Sequence, residues 1–412
     1  MIQLLIIADD FTGALDTGVK LSESGIRTKV VTRLDKDITA YDTDVLVVDT
    51  ESRHLNPEEA YRTVYRVARA FVGSGVEWFF KKTDSGLRGN IGAELSALVD
   101  GLGEKQLAFV PEFPSIGRIT KNGVHYIDGV PVSESVFGID LLNPVRFSRI
   151  DEIIHDQSDV SVTGKNCEDL IVAEEGISVY DAETDKELHE IILSLKDQGV
   201  RIMAGCAGAG AYLPELLSVE VSERAIPKLK TPLFAICGSI NPVTVSQVEF
   251  ARSNGFAHFR LKPEQKLQDK FWQSPEGQLM FGIFREKIRN KESVVVDAID
   301  DGEGQATVQY GRELGFSVDE IRRRISHTLA LLFKALFEEK TGGTLMIIGG
   351  DTLQECMVKI GIHEMEPICE MSQGVVLAKF SGDGFEQYVL TKSGGFGEES
   401  LLQDLTEQIE KS

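Results

Sequence analysis

QLLIIADDFTG, residues 3–13, is the stretch that decides the fold. Five apolar residues typical of a buried strand end at the adjacent carboxylates of Asp9 and Asp10, and an amphipathic stretch follows. Ligands of open α/β sheets bind outside the carboxyl ends of the strands. A single carboxylate would suffice to cap the following helix. The pair therefore predicts a functional site at this strand end.

Polar side chains also follow three further apolar runs in the first half of the chain. These runs begin near residues 45, 78 and 107, and each ends in charged or hydroxylated residues. The candidate site residues at these ends are Arg53, Lys82, Asp84, Ser85, Arg88 and Arg118. Chance decoration of a surface would place such groups at both ends of the strands. In a chain with a formal net charge of −22, these cations predict a site for a small anion.

The composition is typical of a soluble globular protein. Of the 412 residues, 42% are hydrophobic and 26% are charged, and this length predicts two domains. No apolar run reaches the roughly 18 residues of a transmembrane helix, and the N-terminus lacks the basic segment of a secretory signal. The net charge opposes binding to nucleic acid or to an anionic membrane. Reduced thiols in a cytoplasmic protein are predicted by the odd number and wide spacing of the cysteines: Cys167, Cys206, Cys237, Cys356 and Cys369.

Strands alternate with helical patterns through the first half of the chain. This alternation predicts βαβ units, and hence an α/β fold with mainly parallel sheets. Asn122-Gly123 between two short strand patterns predicts a hairpin, a candidate flap over the strand ends. Residues 226–232 read as a linker with two prolines, and a new strand begins after it. We therefore predict two α/β domains, residues 1–225 and 233–412.

Three turns containing glycine follow strand patterns in the second half. They read CGS at 237–239, GGDT at 349–352 and KSGGFG at 392–397. Glycine lets the backbone approach a ligand closely, and a helix N-terminus attracts phosphate. Such turns also serve strand-to-helix geometry alone, and the P-loop fingerprint is missing. Three of them in one domain favour a nucleotide site.

Seven segments together resemble the four-carbon acid-sugar kinase family. They are ADDFTGALDTG (8–18), DTESR (49–53), KKTDSGLRGNIGAEL (81–95), PEFPSIGRIT (111–120), CGSINPVT (237–244), GGDT (349–352) and KSGGFG (392–397). The resemblance spans almost the whole chain. It implies an ATP-dependent kinase whose N-terminal domain binds the sugar acid and whose C-terminal domain binds the nucleotide. Gly86 departs from the family pattern, in which threonine is common at this position, and this leaves the particular acid open.

The resemblance also implies which residues form the site. The nucleotide positions are Ser239, Gly349, Gly350, Asp351, Thr352 and Gly395. The substrate positions are Asp9, Asp10, Arg53, Lys82, Asp84, Ser85, Arg88 and Arg118. Neither half holds both sets, so we expect the active site in the inter-domain cleft.

Phosphoryl transfer is mostly positioning and electrostatic stabilisation. We expect Asp10 to accept the proton of the attacking hydroxyl, with Asp9 as the alternative. We expect Lys82 to stabilise the charge on the phosphoryl group during its transfer. An arginine suits the planar carboxylate of the acid. Mg²⁺ would arrive with ATP and be held mainly by phosphates and water, with Asp351 as one candidate ligand and no dedicated protein metal site.

D-threonate or D-erythronate, converted to the 4-phosphate, is the expected substrate. A 3-oxo-tetronate 4-kinase is the nearest alternative. A ligase that forms an acyl phosphate and a non-catalytic sugar-acid sensor belong to other functional classes. The stereoisomer, the hydroxyl that reacts and the oligomeric state stay open, a homodimer being one outcome.

Overall fold

The computed structural model describes residues 1–34, 37–140, 143–166, 169, 171–172, 175–219, 226–300, 305–340, 342–382 and 385–411. By its internal contacts the chain divides into two compact units, Met1–Arg224 and Ala225–Ser412. Within the described ranges, no helix is long and apolar enough to cross a membrane. Cys167 lies outside those ranges, and the other four cysteines are free thiols.

The first unit is an α/β fold. Its strands are Leu4–Ala8 (β1), Thr28–Val31 (β2), Val45–Asp49 (β3), Trp78–Lys82 (β4), Gln106–Val110 (β5), Arg118–Lys121 (β6), Val124–Ile127 (β7), Val130–Pro131 (β8), Val162–Lys165 (β9), Gly176–Tyr180 (β10) and Ile202–Gly205 (β11). Its helices are Phe11–Glu23 (α1), Pro57–Ala70 (α2), Ile91–Leu102 (α3), Ile150–His155 (α4), Asp185–Asp197 (α5) and Ala207–Gly210 (α6).

The main sheet of this unit is parallel, as the alternation of strands and helices predicts. Its strands lie in the order β2-β3-β1-β4-β11-β5-β10-β9. Every residue of β1 is buried, as expected for a strand covered on both faces by helices. In the register of the sheet, Ala8 pairs with both Asp49 and Lys82. The turns that follow β1, β3 and β4 therefore leave the sheet side by side, at the point where the order of the strands reverses.

The second unit is also an α/β fold. Its strands are Leu233–Cys237 (β12), Ala257–Arg260 (β13), Val294–Asp297 (β14), Thr344–Ile348 (β15), Glu364–Ser372 (β16), Val375–Gly382 (β17) and Phe385–Lys392 (β18). Its helices are Pro242–Ser253 (α7), Pro263–Leu267 (α8), Pro275–Arg289 (α9), Ala306–Glu313 (α10), Val318–Glu339 (α11), Gly350–Ile360 (α12) and Leu401–Lys411 (α13).

The strand order of the second unit begins with the same theme as that of the first. Its sheet runs β13-β14-β12-β15-β18-β17-β16, with β13, β14, β12, β15 and β18 parallel and β17 antiparallel to both of its neighbours. The leading four strands repeat the arrangement β2-β3-β1-β4. In each unit the first strand is thus flanked by the third and the fourth, and their carboxyl ends meet at one edge.

A hairpin formed by β6 and β7 confirms the prediction from Asn122-Gly123. The strands pair antiparallel from Arg118–Ile127 to Lys121–Val124, and both turn residues have positive φ angles, +51° and +73°. His125 on β7 is fully buried and anchors the hairpin. Its Nε2 lies 3.0 Å from the carbonyl oxygen of Ser85, which can only accept, so Nε2 carries the proton. Its Nδ1 then accepts from the Thr120 hydroxyl at 3.2 Å.

Burial lowers the pKa of His125 to about 4, and the hydrogen bond to Ser85, which raises this pKa, offsets only part of the effect. Between about pH 6.5 and about pH 4, the unfolded chain binds a proton at this position and the native state does not. The contribution of His125 to the free energy of unfolding therefore falls as the pH falls through that window. We predict that His125→Gln removes this contribution, so that its urea midpoint falls less steeply with pH than that of the wild type.

The exposed His155 of α4 supplies the control, since His155→Gln should leave the slope of the wild type unchanged. Parallel pH profiles for wild type and His125→Gln would contradict the prediction.

Candidate active site

Arg53 lies among three carboxylates that follow β1 and β4. Its Nε donates to Asp9 Oδ2 at 2.8 Å, and its Nη1 donates to Asp10 Oδ2 at 2.8 Å. Its Nη2 lies 3.7 Å from Asp84 Oδ1. Burial alone would lower the pKa of Arg53, but the three carboxylates raise it well above its usual value. The turn after β3 is fixed to β1, because the backbone N–H of Arg53 donates to the Asp9 carbonyl at 3.2 Å.

Asp9 is the buried member of the carboxylate pair. Burial alone would raise its pKa, but Arg53 and the two lysines of β4 hold it below the usual value. Asp9 is therefore ionised at neutral pH. Its Oδ1 is buried and has no hydrogen-bond partner among the described residues, so a donor group from a bound ligand would satisfy it.

Asp10 is the more accessible member of the pair. Its Oδ1 accepts from the Gly13 N–H at 3.0 Å, which makes it the N-cap of α1. Its side chain is 23% exposed, against 2% for Asp9. Alternation along a strand would send the two side chains to opposite faces. The two side chains do not lie on opposite faces, because β1 ends at Ala8 and both carboxylates contact the same guanidinium group.

Lys82 places a buried ammonium group beside this cap. A Cβ atom at Gly13 would lie 2.6 Å from Lys82 Nζ, so the glycine admits the lysine side chain. Lys82 Nζ donates to the Thr83 carbonyl at 2.9 Å. Among the described residues it has no carboxylate partner within 4.0 Å. Its neighbour Lys81, by contrast, forms a fully buried ion pair with Glu94 at 2.8 Å.

Asp84 and Arg88 form a second pair in the turn after β4. Arg88 Nε donates to Asp84 Oδ2 at 3.0 Å, and Nη2 donates to Oδ1 at 2.9 Å. Burial would raise the pKa of Asp84, but Arg53 and Arg88 hold it well below its usual value. Leu87 between them has a φ of +59°, which is strained for a branched residue and turns Arg88 back toward Asp84.

Arg118 and Ser85 lie outside the group of carboxylates around Arg53. Arg118 begins β6, and its Nη1 lies 3.3 Å from Asp128 Oδ2. Its Nε is buried without a hydrogen-bond partner among the described residues, so this guanidinium keeps a donor for a ligand. Ser85 contacts His125 through its carbonyl oxygen. The structure thus brings together Asp9, Asp10, Arg53, Lys82, Asp84 and Arg88 of the predicted site residues.

The three glycine turns of the second unit converge at the carboxyl ends of β12, β15 and β18. A Cβ atom at Gly238 would lie 2.0 Å from Thr352 Oγ1, and one at Gly394 would lie 2.5 Å from Ser239 Oγ. Gly349 has a φ of +113° and is the N-cap of α12, so the N–H groups of that helix start directly after it. Small residues and a helix N-terminus at one sheet edge form a cradle that fits phosphate.

The remaining predicted nucleotide residues surround this cradle. Thr352 is buried, Gly350 is the first residue of α12, and Gly395 lies 3.5 Å, measured from its ideal Cβ position, from Asn241 Nδ2. Asp351 is 55% exposed, and one of its oxygens is 3.7 Å from Arg322 Nε. Across the described ranges, no cluster of three or more His, Cys, Asp or Glu could hold a metal. The donor set suits a metal that arrives bound to phosphates, with Asp351 as an accessible oxygen ligand.

Two residues that position the site were missed by reasoning from sequence. Asn90, before α3, reads as a helix cap, but its Nδ2 donates to the Ser52 and Leu55 carbonyls at 2.9 Å each and fixes the turn that carries Arg53. Lys392 closes β18, where its Nζ donates to the Ser393 carbonyl at 2.8 Å. Burial lowers the pKa of Lys392 to about 8. A lysine in a glycine-rich segment was the available signal for the second of these residues.

Two family models match the chain. Residues 4–214 match a sugar-binding N-terminal domain, and residues 234–402 match a nucleotide-binding C-terminal domain. Among solved structures, a Haemophilus influenzae protein is similar with a TM-score of 0.75 and 23% identity, covering 98% of this chain and 99% of that one. A Salmonella typhimurium protein described as a putative tRNA synthase is similar with a TM-score of 0.80 and 20% identity over 100% of both chains. These likenesses establish the fold.

Curated relatives are similar over nearly their whole lengths. A D-threonate kinase of Salmonella typhimurium is 29% identical and covers 99% of each chain. A D-erythronate kinase of Heliobacterium modesticaldum is 28% identical over 96% of this chain and 94% of its own. A 3-oxo-tetronate kinase of Haemophilus influenzae is 25% identical over 97% and 98%. With both of its domain models matched in order, the chain belongs to the four-carbon acid-sugar kinase family.

Proposed function

We propose that this chain transfers the γ-phosphoryl group of ATP to a hydroxyl of D-threonate or D-erythronate, giving the 4-phosphate. The observation that carries this proposal is that an accessible carboxylate, Asp10, and a buried ammonium group, Lys82, lie on either side of Gly13. This ammonium group has no carboxylate partner within 4.0 Å among the described residues. A hydroxyl that attacks phosphorus needs a proton acceptor, and the transferred group needs a cation. Membership of the family supports the reaction class.

In the first unit, Asp10 would accept the proton of the hydroxyl. Its carboxylate is held in place by the N–H of Gly13 and by Arg53, so it is oriented before the substrate binds. Lys82 would stabilise the negative charge that spreads over the phosphoryl oxygens. Arg118 keeps an unpartnered Nε, which suits the carboxylate of the acid. Asp9 would hold Arg53 and accept a hydrogen bond from a substrate hydroxyl.

In the second unit, the cradle formed by Ser239, Gly349 to Thr352, and Gly394 to Gly395 would hold the phosphates of ATP. Two features support this assignment, namely the start of α12 directly after Gly349 and the missing side chain at Gly394. Bound ATP supplies the phosphoryl group, and its Mg²⁺ supplies charge neutralisation, with Asp351 as the accessible protein oxygen. Lys392 would keep the third turn in shape through its bond to the Ser393 carbonyl.

Release of ADP on a panel of four-carbon acids tests the proposal. We expect turnover with D-threonate or D-erythronate well above that with the parent neutral sugars, and phosphorus–proton coupling in the product should place the phosphate on C4. Preference for a 3-oxo-tetronate would move the substrate to the alternative within the family. A product trapped by hydroxylamine would indicate an acyl phosphate, and the absence of any acid-dependent ADP release would reject the proposal.

We predict that Asp10→Asn folds normally but loses about 10²- to 10⁴-fold in kcat, because an amide cannot accept the proton. Asparagine caps a helix as well as aspartate does, so α1 keeps its N-cap. Measurements of kcat and of the urea midpoint on the same preparation separate the two effects.

The matched control for Asp10→Asn is Asp37→Asn, since Asp37 is also an N-cap and accepts from the Thr39 N–H at 2.9 Å away from this site. It should leave both measurements unchanged. Asp9→Asn should lower the stability more than Asp10→Asn does, because Asp9 is the more deeply buried of the two charges that compensate Arg53. Near wild-type turnover in Asp10→Asn would transfer the role of the base to another carboxylate.

Gly350→Val should raise the KM for ATP far more than the KM for the acid. A branched side chain on the first residue of α12 would obstruct the approach of phosphate to the helix N-terminus. Gly282→Val is the matched control, because Gly282 also lies within a helix and a Cβ atom there meets nothing within 4 Å. Equal changes in both KM values would show that this turn has a purely structural role.

A further inference from the structure

The ring of Phe137 occupies the space that a side chain at residue 86 would need. A Cβ atom built on Gly86 would lie 2.6 Å from both Cδ1 and Cε1 of the ring and 2.7 Å from Cγ. Side chains never approach that closely without displacement. The glycine in the turn after β4 is therefore what admits the aromatic ring to this position.

Two arginines of the candidate site lie over the same ring. The Cζ atom of Arg88 is 5.1 Å from the ring centroid of Phe137, and that of Arg118 is 5.9 Å from it. A guanidinium group within about 6 Å of an aromatic face is attracted by the ring quadrupole. Arg88 and Arg118 come from distant parts of the chain, and Phe137 is the side chain that both of them contact.

The backbone around Phe137 holds the ring in place. Its N–H donates to Ser135 Oγ at 3.2 Å, and its carbonyl oxygen accepts from the Val145 N–H at 3.0 Å. The side chain also packs against the hydrophobic core of the first unit. The backbone on both sides of Phe137 is therefore fixed, and its ring rests against the core.

We propose that Phe137 is a positioning residue for acid recognition: seated on Gly86, it orients the guanidinium groups of Arg88 and Arg118 so that Arg118 binds the carboxylate of the sugar acid. The inference rests on the proposed function, in which Arg118 receives that carboxylate. Asp84 and Asp140 hold Arg88 on its other side. Arg118, by contrast, keeps an Nε without a hydrogen-bond partner among the described residues, so it is the arginine with a donor for the carboxylate. Phe137 itself does not touch the reacting atoms.

The first test is the separation of kinetic constants in Phe137→Leu, which keeps apolar bulk and removes the aromatic face. We expect the KM for the acid to rise about tenfold, which corresponds to about 1.4 kcal/mol. The kcat and the KM for ATP should change by less than about twofold, since neither the base nor the nucleotide turns are affected. Phe137→Tyr keeps the face and should restore the wild-type KM.

Gly86→Ala tests the other half of the pair. The added methyl group should displace the ring and raise the KM for the acid as Phe137→Leu does. In the background of Phe137→Ala the same methyl group should cost much less, because alanine lacks the Cγ, Cδ1 and Cε1 atoms that obstruct it. Such non-additivity is expected only when the two residues act through one contact, and it keeps the proposal testable if one variant folds poorly.

An unchanged KM for the acid in Phe137→Leu, an equal loss in Phe137→Tyr, or parallel losses in kcat and both KM values would overturn the proposal. A wild type that phosphorylates no four-carbon acid would reject the proposed function separately. In that case the Hε proton resonances of Arg88 and Arg118, assigned with arginine-to-lysine variants, decide whether the ring holds them. A ring-current shift that disappears in Phe137→Leu would indicate that the ring orients the two arginines. If the wild type shows no such shift, the proposed role of the ring is refuted.

Discussion

The buried guanidinium group of Arg53 is the interaction on which the first unit's candidate site depends. It joins the turn after β3 to the carboxylates after β1 and β4, and each of those carboxylates would be costly to bury alone. Asp9 is ionised because Arg53 lies beside it, and Arg53 tolerates burial because the carboxylates surround it. The site is therefore assembled by mutual compensation, and its geometry is settled before any substrate arrives.

Much of this architecture could be predicted from the sequence, because it follows from local patterns. Alternating strands and helices indicated parallel sheets, and the carboxyl ends of parallel strands necessarily meet at one edge, which placed Asp10, Arg53 and Lys82 together. The turn at Asn122-Gly123 was visible because two residues with positive φ favour those residue types. Here each prediction depended on residues close together in the chain.

The partners of individual side chains could not be predicted in this way. Arg53 was one of the arginines predicted at the substrate site, and nothing in the sequence indicated that three protein carboxylates surround it. Asn90 occupies the N-cap position of α3, but its amide donates to carbonyls that lie more than 30 residues earlier in the chain. Phe137 carried no functional signal in the sequence, because its proposed role depends on the missing side chain of Gly86 and not on its own neighbours in the chain.

The two sheets begin with the same order of strands, β2-β3-β1-β4 in the first unit and β13-β14-β12-β15 in the second. The loops that leave β1 and β4 nevertheless bring ionised side chains together, whereas those that leave β12 and β15 bring glycines and hydroxyl groups together. Each set of loops is supported by its own hydrophobic core. Substitutions in the loops of one unit can therefore be accommodated without repacking the core of the other, so that the sugar-binding and nucleotide-binding domains can diverge separately.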